Sequence, residues 1–347
     1  METIAQVKER LSRLSRAQLG FFPTPLHKAE NLSKELGIDL WFKRDDLTGI
    51  GLFGGNKVRK LEYVLGQAKA LGCDTVVSYG ASQSNCAMQV ATGCRRLGMK
   101  PVLYLTELVE ATQLRANLLL DHILDAEVHL VPLNGMTEDE GDAEAVRLGR
   151  EHMARLEAEG HKCYEVPMGA AEPLGSAGFI GGWAELLEQM EAQGVKADIL
   201  FHGTGTGGTL AGLTAGRVLM GGPEIVAINV SPKGPEYLDK VAALGTEALR
   251  AIGSDAVVTT GDFRTDLGYF GQGYEVPDDR ATAAIRRLAR TEGIIVDPVY
   301  TGKALSGLIG YVESGKVPQG STVVFWHTGG ATALFAEPEM VGNVAGQ

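Results

Sequence analysis

Short apolar runs alternate with longer segments of helical spacing along most of the chain. The runs predicted as strands are residues 40–43, 75–79, 101–106, 128–131, 162–166, 199–202, 225–230 and 322–326. The segments predicted as helices are residues 57–71, 85–97, 113–124, 138–159, 177–193, 209–220, 279–292 and 302–314, and the N-terminus starts as an amphipathic helix. This alternation is typical of an α/β fold in which parallel sheets are covered by helices. Ligands in such folds bind at the carboxyl ends of strands.

A lysine stands out in the segment GLFGGNKVRK, residues 51–60. Lys57 follows two glycines and begins a predicted helix, whose positive end favours the neutral amine. The neutral amine is the nucleophilic form that a Schiff base requires. Taken alone, however, the segment fits a surface lysine after a turn better.

Two loops offer groups that bind anions. In GASQSN, residues 80–85, backbone N–H groups and the hydroxyls of Ser82 and Ser84 fit a carboxylate, although Ser84 or Asn85 acting as a helix N-cap explains the same residues. GTGTGGT, residues 203–209, matches GxGxxG, but the strand that follows lacks the acidic residue that holds a dinucleotide ribose. Its amides and threonine hydroxyls therefore favour a terminal phosphate over NAD.

Two further loops add an aromatic ring and a hydroxyl. Tyr300 lies in DPVYTGK and Thr328 in HTGG, which directly follows a predicted strand. Each alone fits a buried tyrosine or a capping threonine. Together, the five loops supply an amine, a phosphate-binding turn, an anion-binding loop, a ring and a hydroxyl, which is the set that pyridoxal phosphate (PLP) requires.

The charge and the cysteines exclude several classes of function. The net charge of −11 argues against nucleic acid and anionic membranes as partners. The four cysteines form no CxxC pair and no zinc-type spacing with histidine, so we expect no structural metal. Reduced thiols, together with the lack of an apolar membrane segment or signal peptide, favour a cytoplasmic protein.

The motifs FKRDDLTG, GGNKVRKLEY, SQSN, GYEVP, DPVYTGKA and HTGG resemble those of the D-cysteine desulfhydrase and 1-aminocyclopropane-1-carboxylate (ACC) deaminase family. The resemblance runs from about residue 23 to residue 335. It implies PLP as the cofactor, a small amino acid as the substrate, a homodimer, and PLP-dependent fold type II (tryptophan synthase β-like), with two domains that each contain a mostly parallel sheet flanked by helices. We place the large PLP-binding domain at residues 1–50 plus 165–347. The small domain, with the Schiff-base lysine and the SQSN loop, is placed at 51–164.

The resemblance also assigns roles to individual residues. Lys57 is the Schiff-base lysine that moves the α-proton, Ser84 lies over the cofactor and the substrate carboxylate, and Asn85 bonds the ring hydroxyl of PLP. Tyr274 and Tyr300 flank the substrate, and Thr328 faces the pyridine nitrogen. The residues that bind the phosphate are Gly205, Thr206, Gly207, Gly208 and Thr209.

The threonines distinguish the two branches of the family. ACC deaminases carry Glu at the position of Thr301 and Leu at that of Thr328, so this chain resembles the desulfhydrases. A neutral hydroxyl leaves the pyridine nitrogen unprotonated and weakens the electron sink, which favours prompt β-elimination. The segments LFGGNK and GAAEPLGSAGFIGG resemble the deaminases instead. Met88 and Glu172 depart from the family pattern at positions that affect substrate choice.

These features predict a PLP-dependent carbon–sulfur lyase that converts D-cysteine to pyruvate, hydrogen sulfide and ammonia. One alternative is an ACC deaminase that yields 2-oxobutanoate and ammonia. Another is β-elimination from a different β-substituted amino acid, such as L-cysteate. A last alternative, from a different class, is a PLP-binding protein without catalytic activity.

Overall fold

The computed structural model describes residues 1–51, 54–107, 114–276 and 278–336. The strands, β1 to β10, are Leu26–Lys28, Asp39–Arg44, Thr75–Ala81, Lys100–Glu107, Glu127–Pro132, Cys163–Val166, Ile199–Thr204, Glu224–Asn229, Arg264–Asp266 and Thr322–His327. The helices, α1 to α12, are Ile4–Leu11, Glu30–Leu36, Lys57–Ala70, Asn85–Leu97, Ala116–Ile123, Glu138–Ala158, Pro173–Gln193, Gly208–Met220, Tyr237–Ala251, Asp279–Glu292, Thr301–Glu313 and Ala333–Ala336. Short 3₁₀ turns lie at Asp45–Leu47, Met168–Ala170 and Thr260–Asp262.

The strands form two sheets. The large sheet has the order β1-β2-β10-β7-β8-β9, and the small sheet has the order β5-β4-β3-β6. All neighbouring strands are parallel except β1, which pairs antiparallel with β2 at the edge of the large sheet. Strands β3 and β7 are buried along nearly their whole length, which explains why they read as continuous apolar runs.

The structure confirms the predicted alternation of strands and helices, with shifts at some ends. Helix α7 begins at Pro173, four positions before its predicted start, because Glu172 supplies an extended N-cap position and proline is well suited to the first turn. The predicted start of α5 at Gln113 lies outside the described residues, as do Leu52, Phe53 and Pro277 of the quoted motifs.

Five elements were not predicted, namely β1, β9, α2, α9 and the four-residue helix α12. Strands β1 and β9 have three residues each, too few for a periodic pattern to be recognised. Helix α2 has seven residues, about two turns, which also gives little room for a periodic pattern. Helix α9 buries Val241, Ala242, Gly245 and Leu249 at helical spacing, so its amphipathic pattern was present in the sequence and was missed.

Helix α7 holds α3 and α8 close together. A Cβ atom placed on Gly178 of α7 would lie 2.3 Å from the carbonyl oxygen of Arg59 in α3. One placed on Gly212 of α8 would lie 2.1 Å from the carbonyl oxygen of Ser176 in α7. Glycine is therefore required at both crossings. Within the described chain, no helix combines the length and apolar character needed to cross a membrane.

Candidate active site

A central cavity of about 690 Å³ lies where loops from the two sheets meet, a size typical of sites for small ligands. Gly80 and Ala81 reach it from the end of β3, Thr204 from the end of β7, and Thr328 from the loop after β10. The predicted site residues that line it are Lys57, Ser84, Asn85, Gly205, Thr206, Gly207, Thr209, Tyr274, Tyr300 and Thr328. The remaining one, Gly208, is the first residue of α8.

Lys57 is the first residue of α3 and extends into the cavity wall. Its Nζ lies 3.0 Å from Asn56 Oδ1, to which it donates a hydrogen bond, and 5.8 Å from the centre of the Tyr300 ring. Burial lowers the pKa of Lys57, against the opposing influence of Cys86 and Asp297. The lowered pKa favours the neutral, nucleophilic amine.

Asn56, which no sequence motif identified as a site residue, joins three parts of the site. Its backbone N–H donates to the carbonyl oxygen of Thr328 at 3.0 Å. Its side-chain Nδ2 donates to Thr209 Oγ1, also at 3.0 Å. The loop that carries Lys57 is thereby fixed to the start of α8 and to the loop after β10.

Lys60 is a buried amine that sequence reasoning missed. It is 1% exposed, and its Nζ donates to the carbonyl oxygen of Gly169 at 3.0 Å. A Cβ atom on Gly208 would lie only 2.7 Å from this Nζ, so the amine directly adjoins the start of α8. Burial lowers the pKa of Lys60 to about 7, and the charge of Lys57 acts in the same direction. Its i+3 spacing from Lys57 was the available signal.

The turn from Gly205 to Thr209 has the features of an anion site. Gly207 caps α8 with φ +88°, and a Cβ atom there would lie 2.5 Å from Val241 Cγ2. The first N–H groups of α8 have no partner inside the helix, and the helix dipole is positive at this end. With the Lys60 amine beside Gly208, the turn offers both hydrogen-bond donors and a cation to a phosphate.

Ser84 and Asn85 begin α4, as the N-cap alternative supposed. Ser84 is the N-cap, and its Oγ accepts a hydrogen bond from the backbone N–H of Ala87 at 3.2 Å. Asn85 Oδ1 accepts hydrogen bonds from Asn117 Nδ2 and Thr332 Oγ1, both at 2.9 Å. The two bonds fix the amide orientation, so that Nδ2 of Asn85 is the donor left for a ligand. Capping and ligand binding are therefore compatible here.

Tyr274 and Tyr300 lie together at the cavity. Their rings meet edge to face with centroids 5.6 Å apart, and their hydroxyl groups hydrogen-bond to each other. Burial raises the pKa of Tyr274 well above its ordinary value, and it raises that of Tyr300 as well. Both phenols therefore stay protonated and can act as hydrogen-bond donors at neutral pH.

Asp297 is a buried carboxylate close to the cavity, but its oxygen atoms are occupied. Its Oδ2 accepts from the N–H groups of Val299 and Tyr300 at 2.8 and 2.7 Å. Its Oδ1 accepts from the N–H and the hydroxyl of Thr301 at 2.8 and 2.5 Å. Thr301 thus serves to hold Asp297 and is not among the cavity-lining residues.

The outer part of the cavity is charged. Glu138, Asp139 and Asp142, from the start of α6, line one side, and Lys233 lines the other. Lys233 Nζ donates to Ser231 Oγ at 2.8 Å. Burial lowers the pKa of Lys233, while Glu138 and Asp139 act in the opposite direction.

The positions that depart from the family pattern lie around α4 and α7. Met88 is buried in α4, while Cys86 lines the cavity and is 3% exposed. Burial raises the pKa of Cys86, so it remains a thiol. Glu172 adjoins α7, and its Oε1 has no hydrogen-bond partner among the described residues. Burial raises the pKa of Glu172 to about 7, and Glu165 adds to the shift.

These groups fit PLP as a cofactor. An amine with a lowered pKa, a helix start with a neighbouring lysine, and an oriented amide donor share one cavity of suitable volume. Lys57 would bind the aldehyde, the turn and Lys60 would bind the phosphate, and Asn85 would bond the ring hydroxyl.

Comparison with known proteins decides the family. The sequence profile described as "Pyridoxal-phosphate dependent enzyme" matches residues 17–329. The chain belongs to this family. Its members require PLP, and the two sheets and their helices form the fold type II arrangement that the sequence predicted.

Full-length relatives of this PLP-dependent family carry two kinds of name. The chain is 35% identical over 331 residues to a putative ACC deaminase of Pyrococcus abyssi, covering 95% of this chain and 96% of the relative. It is also 35% identical over 331 residues to D-cysteine desulfhydrase of Salmonella typhi, covering 94% and 97%. A solved ACC deaminase homologue superimposes with a TM-score of 0.86 at 34% identity, covering 97% of this chain and 98% of that one.

Proposed function

We propose that this enzyme is a PLP-dependent lyase that eliminates the β-substituent of a small amino acid. D-cysteine is the first candidate, with pyruvate, hydrogen sulfide and ammonia as products. The names of the relatives support both this reaction and ACC deamination. The observation that carries the choice is the Thr328 hydroxyl, which lines the cavity where the resemblance places the pyridine nitrogen.

The carboxylates near the cavity support this choice. Among the described residues, the acids that line the cavity are Glu138, Asp139 and Asp142, and all three lie at the start of α6. Asp297 is close, but the backbone and Thr301 occupy its oxygen atoms. A hydroxyl partner leaves the pyridine nitrogen neutral, because no carboxylate stabilises its protonated form.

The side chains have separable tasks in this proposal. When bound, PLP withdraws electrons from the α-carbon of the substrate. Lys57 holds the cofactor covalently and then, as a neutral amine, takes the α-proton of the amino acid. Ser84 and the N–H groups at the start of α4 bind the substrate carboxylate. Burial keeps Tyr274 and Tyr300 protonated, and the phenol whose proton is not used in their mutual hydrogen bond donates to the departing sulfur.

Sulfide release from D-cysteine tests the proposal. Purified PLP-loaded enzyme should release sulfide and pyruvate in equal amounts from D-cysteine, while the Lys57→Ala variant should release neither. Failure of PLP-loaded wild-type enzyme to release sulfide would rule out D-cysteine. A panel of D- and L-amino acids with β-leaving groups, including L-cysteate and scored for pyruvate, then identifies another substrate.

ACC deamination is the second candidate, favoured by the names of the relatives and by the GAAEPLGSAGFIGG segment. Incubation with ACC should yield no 2-oxobutanoate if Thr328 determines the branch. Formation of 2-oxobutanoate at a rate comparable with that of pyruvate from D-cysteine would favour the deaminase. Bound PLP without turnover of any amino acid in the panel would favour a non-catalytic binding protein.

We further propose a cytoplasmic homodimer with domain boundaries at residues 1–50 plus 165–347 and 51–164. The four cysteines are all free thiols, which fits a reducing compartment. Strands β3 to β5 of the small sheet fall within the second of these ranges, and β6 runs two residues past its end, to Val166. Light scattering of the purified enzyme measures the oligomeric state, and limited proteolysis locates the boundaries.

A further inference from the structure

Two histidines that are far apart in the sequence meet beside a glutamate on the small sheet. Glu127 and His129 lie on strand β5, and His152 lies on helix α6. Each offers one ligand atom, and these three atoms lie within 4.8 Å of one another. We propose that Glu127, His129 and His152 form a binding site for a zinc-type divalent metal ion, separate from the central cavity.

The spacing of the three ligand atoms suits a metal ion. Glu127 Oε1 lies 2.8 Å from His129 Nε2 and 3.6 Å from His152 Nε2. Zinc bonds of about 2.0–2.1 Å in a tetrahedral arrangement place neighbouring ligand atoms roughly 3.3 Å apart. Small side-chain rotations therefore bring the three atoms to bonding distance of one ion. Two histidines and one glutamate are a ligand set that zinc accepts, with a fourth position left for water.

Tyr104 supports both histidines from strand β4. Its hydroxyl lies 3.1 Å from His152 Nδ1, and its ring stacks on that of His129 with centroids 4.5 Å apart. Histidine ligands of metals usually donate the other ring N–H to a neighbouring acceptor. In the tautomer that donates Nδ1–H to the tyrosine oxygen, Nε2 of His152 is the ligand atom.

Lys100 opposes metal binding and at the same time orients the glutamate. Its Nζ lies 2.5 Å from Glu127 Oε2, the oxygen that does not contact the histidines. Glu127 Oε1 is therefore left for the metal. Side chains of Glu127 and His129 are 32% and 38% exposed, so both an ion and its water can reach the site.

The site is distinct from the central cavity, although helix α6 contributes to both. Asp142 lines the cavity, and His152 follows it by ten residues in the same helix. At a rise of about 1.5 Å per residue, the two positions lie roughly 15 Å apart along the helix. A bound ion would join α6 to β5, the edge strand of the small sheet.

Zinc titration of the PLP-loaded enzyme, freed of metals with EDTA, tests the proposal by calorimetry. We expect one equivalent to bind to the wild type and this binding to be lost in His129→Ala and in His152→Ala. The matched control is His161→Ala, an exposed histidine 3.3 Å from Asp74, which should bind like the wild type. Absence of stoichiometric zinc binding, or its persistence in both His129→Ala and His152→Ala, overturns the proposal.

Two neighbouring substitutions give graded tests that do not remove a ligand. Tyr104→Phe should weaken zinc binding about 10- to 100-fold, the usual effect of losing a supporting hydrogen bond. Lys100→Met should tighten it on the order of 10-fold, because a positive charge near the ion is removed. Equal zinc affinity in wild type and both variants contradicts the proposed geometry, provided that circular dichroism shows them folded.

Discussion

Helix α3 carries two buried basic residues, Arg59 and Lys60, that have different hydrogen-bond partners. Arg59 is 4% exposed and donates to Asp45 through Nε and Nη2, both at 2.8 Å, and to Glu185 through Nη1 and Nη2, at 3.0 and 2.8 Å. Lys60 is 1% exposed and donates to the carbonyl oxygen of Gly169. Both side chains are withdrawn from water, but only Arg59 has carboxylates as partners.

The charged partners of each side chain determine the direction in which its pKa shifts. Burial lowers the pKa of Arg59, but Asp45 and Glu185 outweigh this effect and the pKa is raised. Burial raises the pKa of Glu185, but Arg59 and Lys43 outweigh it and lower the pKa to about 2. At Lys60 burial prevails and the pKa falls to about 7. Burial alone therefore does not predict whether a cation stays charged.

The difference divides α3 into two faces: a structural face at Arg59 and a reactive face at Lys57 and Lys60. Around Arg59 the charges are satisfied within the protein, where they join α3 to α7 through Glu185. Lys57 and Lys60 have no carboxylate within ion-pair distance among the described residues, so both amines remain available to a ligand. Substitutions on the two faces should accordingly change different properties.

The largest effect is expected for Lys57→Ala. Loss of a covalent nucleophile reduces turnover on the order of 10³-fold or more. Borohydride reduction followed by peptide mass spectrometry should show a pyridoxyl label on Lys57 in the wild type. In Lys60→Ala the label should stay on Lys57 at saturating cofactor. A label on Lys60 in the wild type would reverse the assignment of the two amines.

On the structural face, Arg59→Met leaves Asp45 and Glu185 buried without their main cation. Removing one partner of a buried ion pair costs about 3–5 kcal/mol. We expect a correspondingly lower urea midpoint of unfolding at a fixed cofactor concentration. The control is Arg147→Met in α6, where Arg147 is 53% exposed and pairs with Glu144 and Glu151, so the urea midpoint should change little. An equal decrease in the urea midpoint of both variants would show that the buried ion pairs of Arg59 stabilise the fold no more than the exposed ion pairs of Arg147.

Lys60 should give phosphate binding a dependence on pH. The probe is 4-deoxypyridoxine 5′-phosphate, which has the phosphate but no aldehyde, so Lys57 cannot bond to it covalently. Protonated Lys60 binds the phosphate. Because the pKa of Lys60 in the free protein is about 7, affinity should fall as the pH rises from 7 to 9, by up to roughly tenfold per unit.

Two variants of Lys60 separate its charge from other titrating groups. Lys60→Arg keeps its charge, so the fall in affinity between pH 7 and pH 9 should disappear. Lys60→Met should bind the probe about 10- to 100-fold more weakly at pH 6.5, the value of a charge-assisted hydrogen bond. If the affinity of Lys60→Arg still falls between pH 7 and pH 9, then a group other than Lys60 causes the pH dependence.

The contrast also shows what local sequence can reveal. In each of the motifs GGNK and GTGTGGT, the glycines, the helix start and the functional groups lie in one short run of sequence and could be recognised together. The structure brings Lys57 and Thr206 to one cavity. Lys60 gains its role from the approach of Gly208, which depends on the packing of α3 and α8 against α7. The i+3 spacing places Lys60 on the same side of α3 as Lys57, but no local pattern encodes the approach of Gly208.

Residue identity also does not show what a side chain contacts. Thr301 served as a marker of the desulfhydrase branch, but in the structure its hydroxyl holds Asp297 and does not line the cavity. Its influence on the reaction is therefore indirect. His129 and His152 likewise become neighbours only through the packing of α6 on the small sheet.

Glu172 extends the contrast to an acid, with the smallest expected effect. Burial raises its pKa to about 7, whereas an unfolded glutamate titrates near 4.3. Between these values the folded protein binds more protons than the unfolded one. Stability therefore declines as the pH rises from about 4.3 through 7.

Glu172→Gln removes this penalty, because glutamine has no proton to lose. At pH 8 the variant should exceed the wild type in free energy of unfolding by about 1–2 kcal/mol, and the difference should shrink towards pH 5. Glu191→Gln, at an exposed position of the same helix, should change the urea midpoint little at either pH. If Glu172→Gln is less stable than the wild type at pH 8, then the carboxylate has a cationic partner in solution, and the rule drawn from Arg59 applies to it instead.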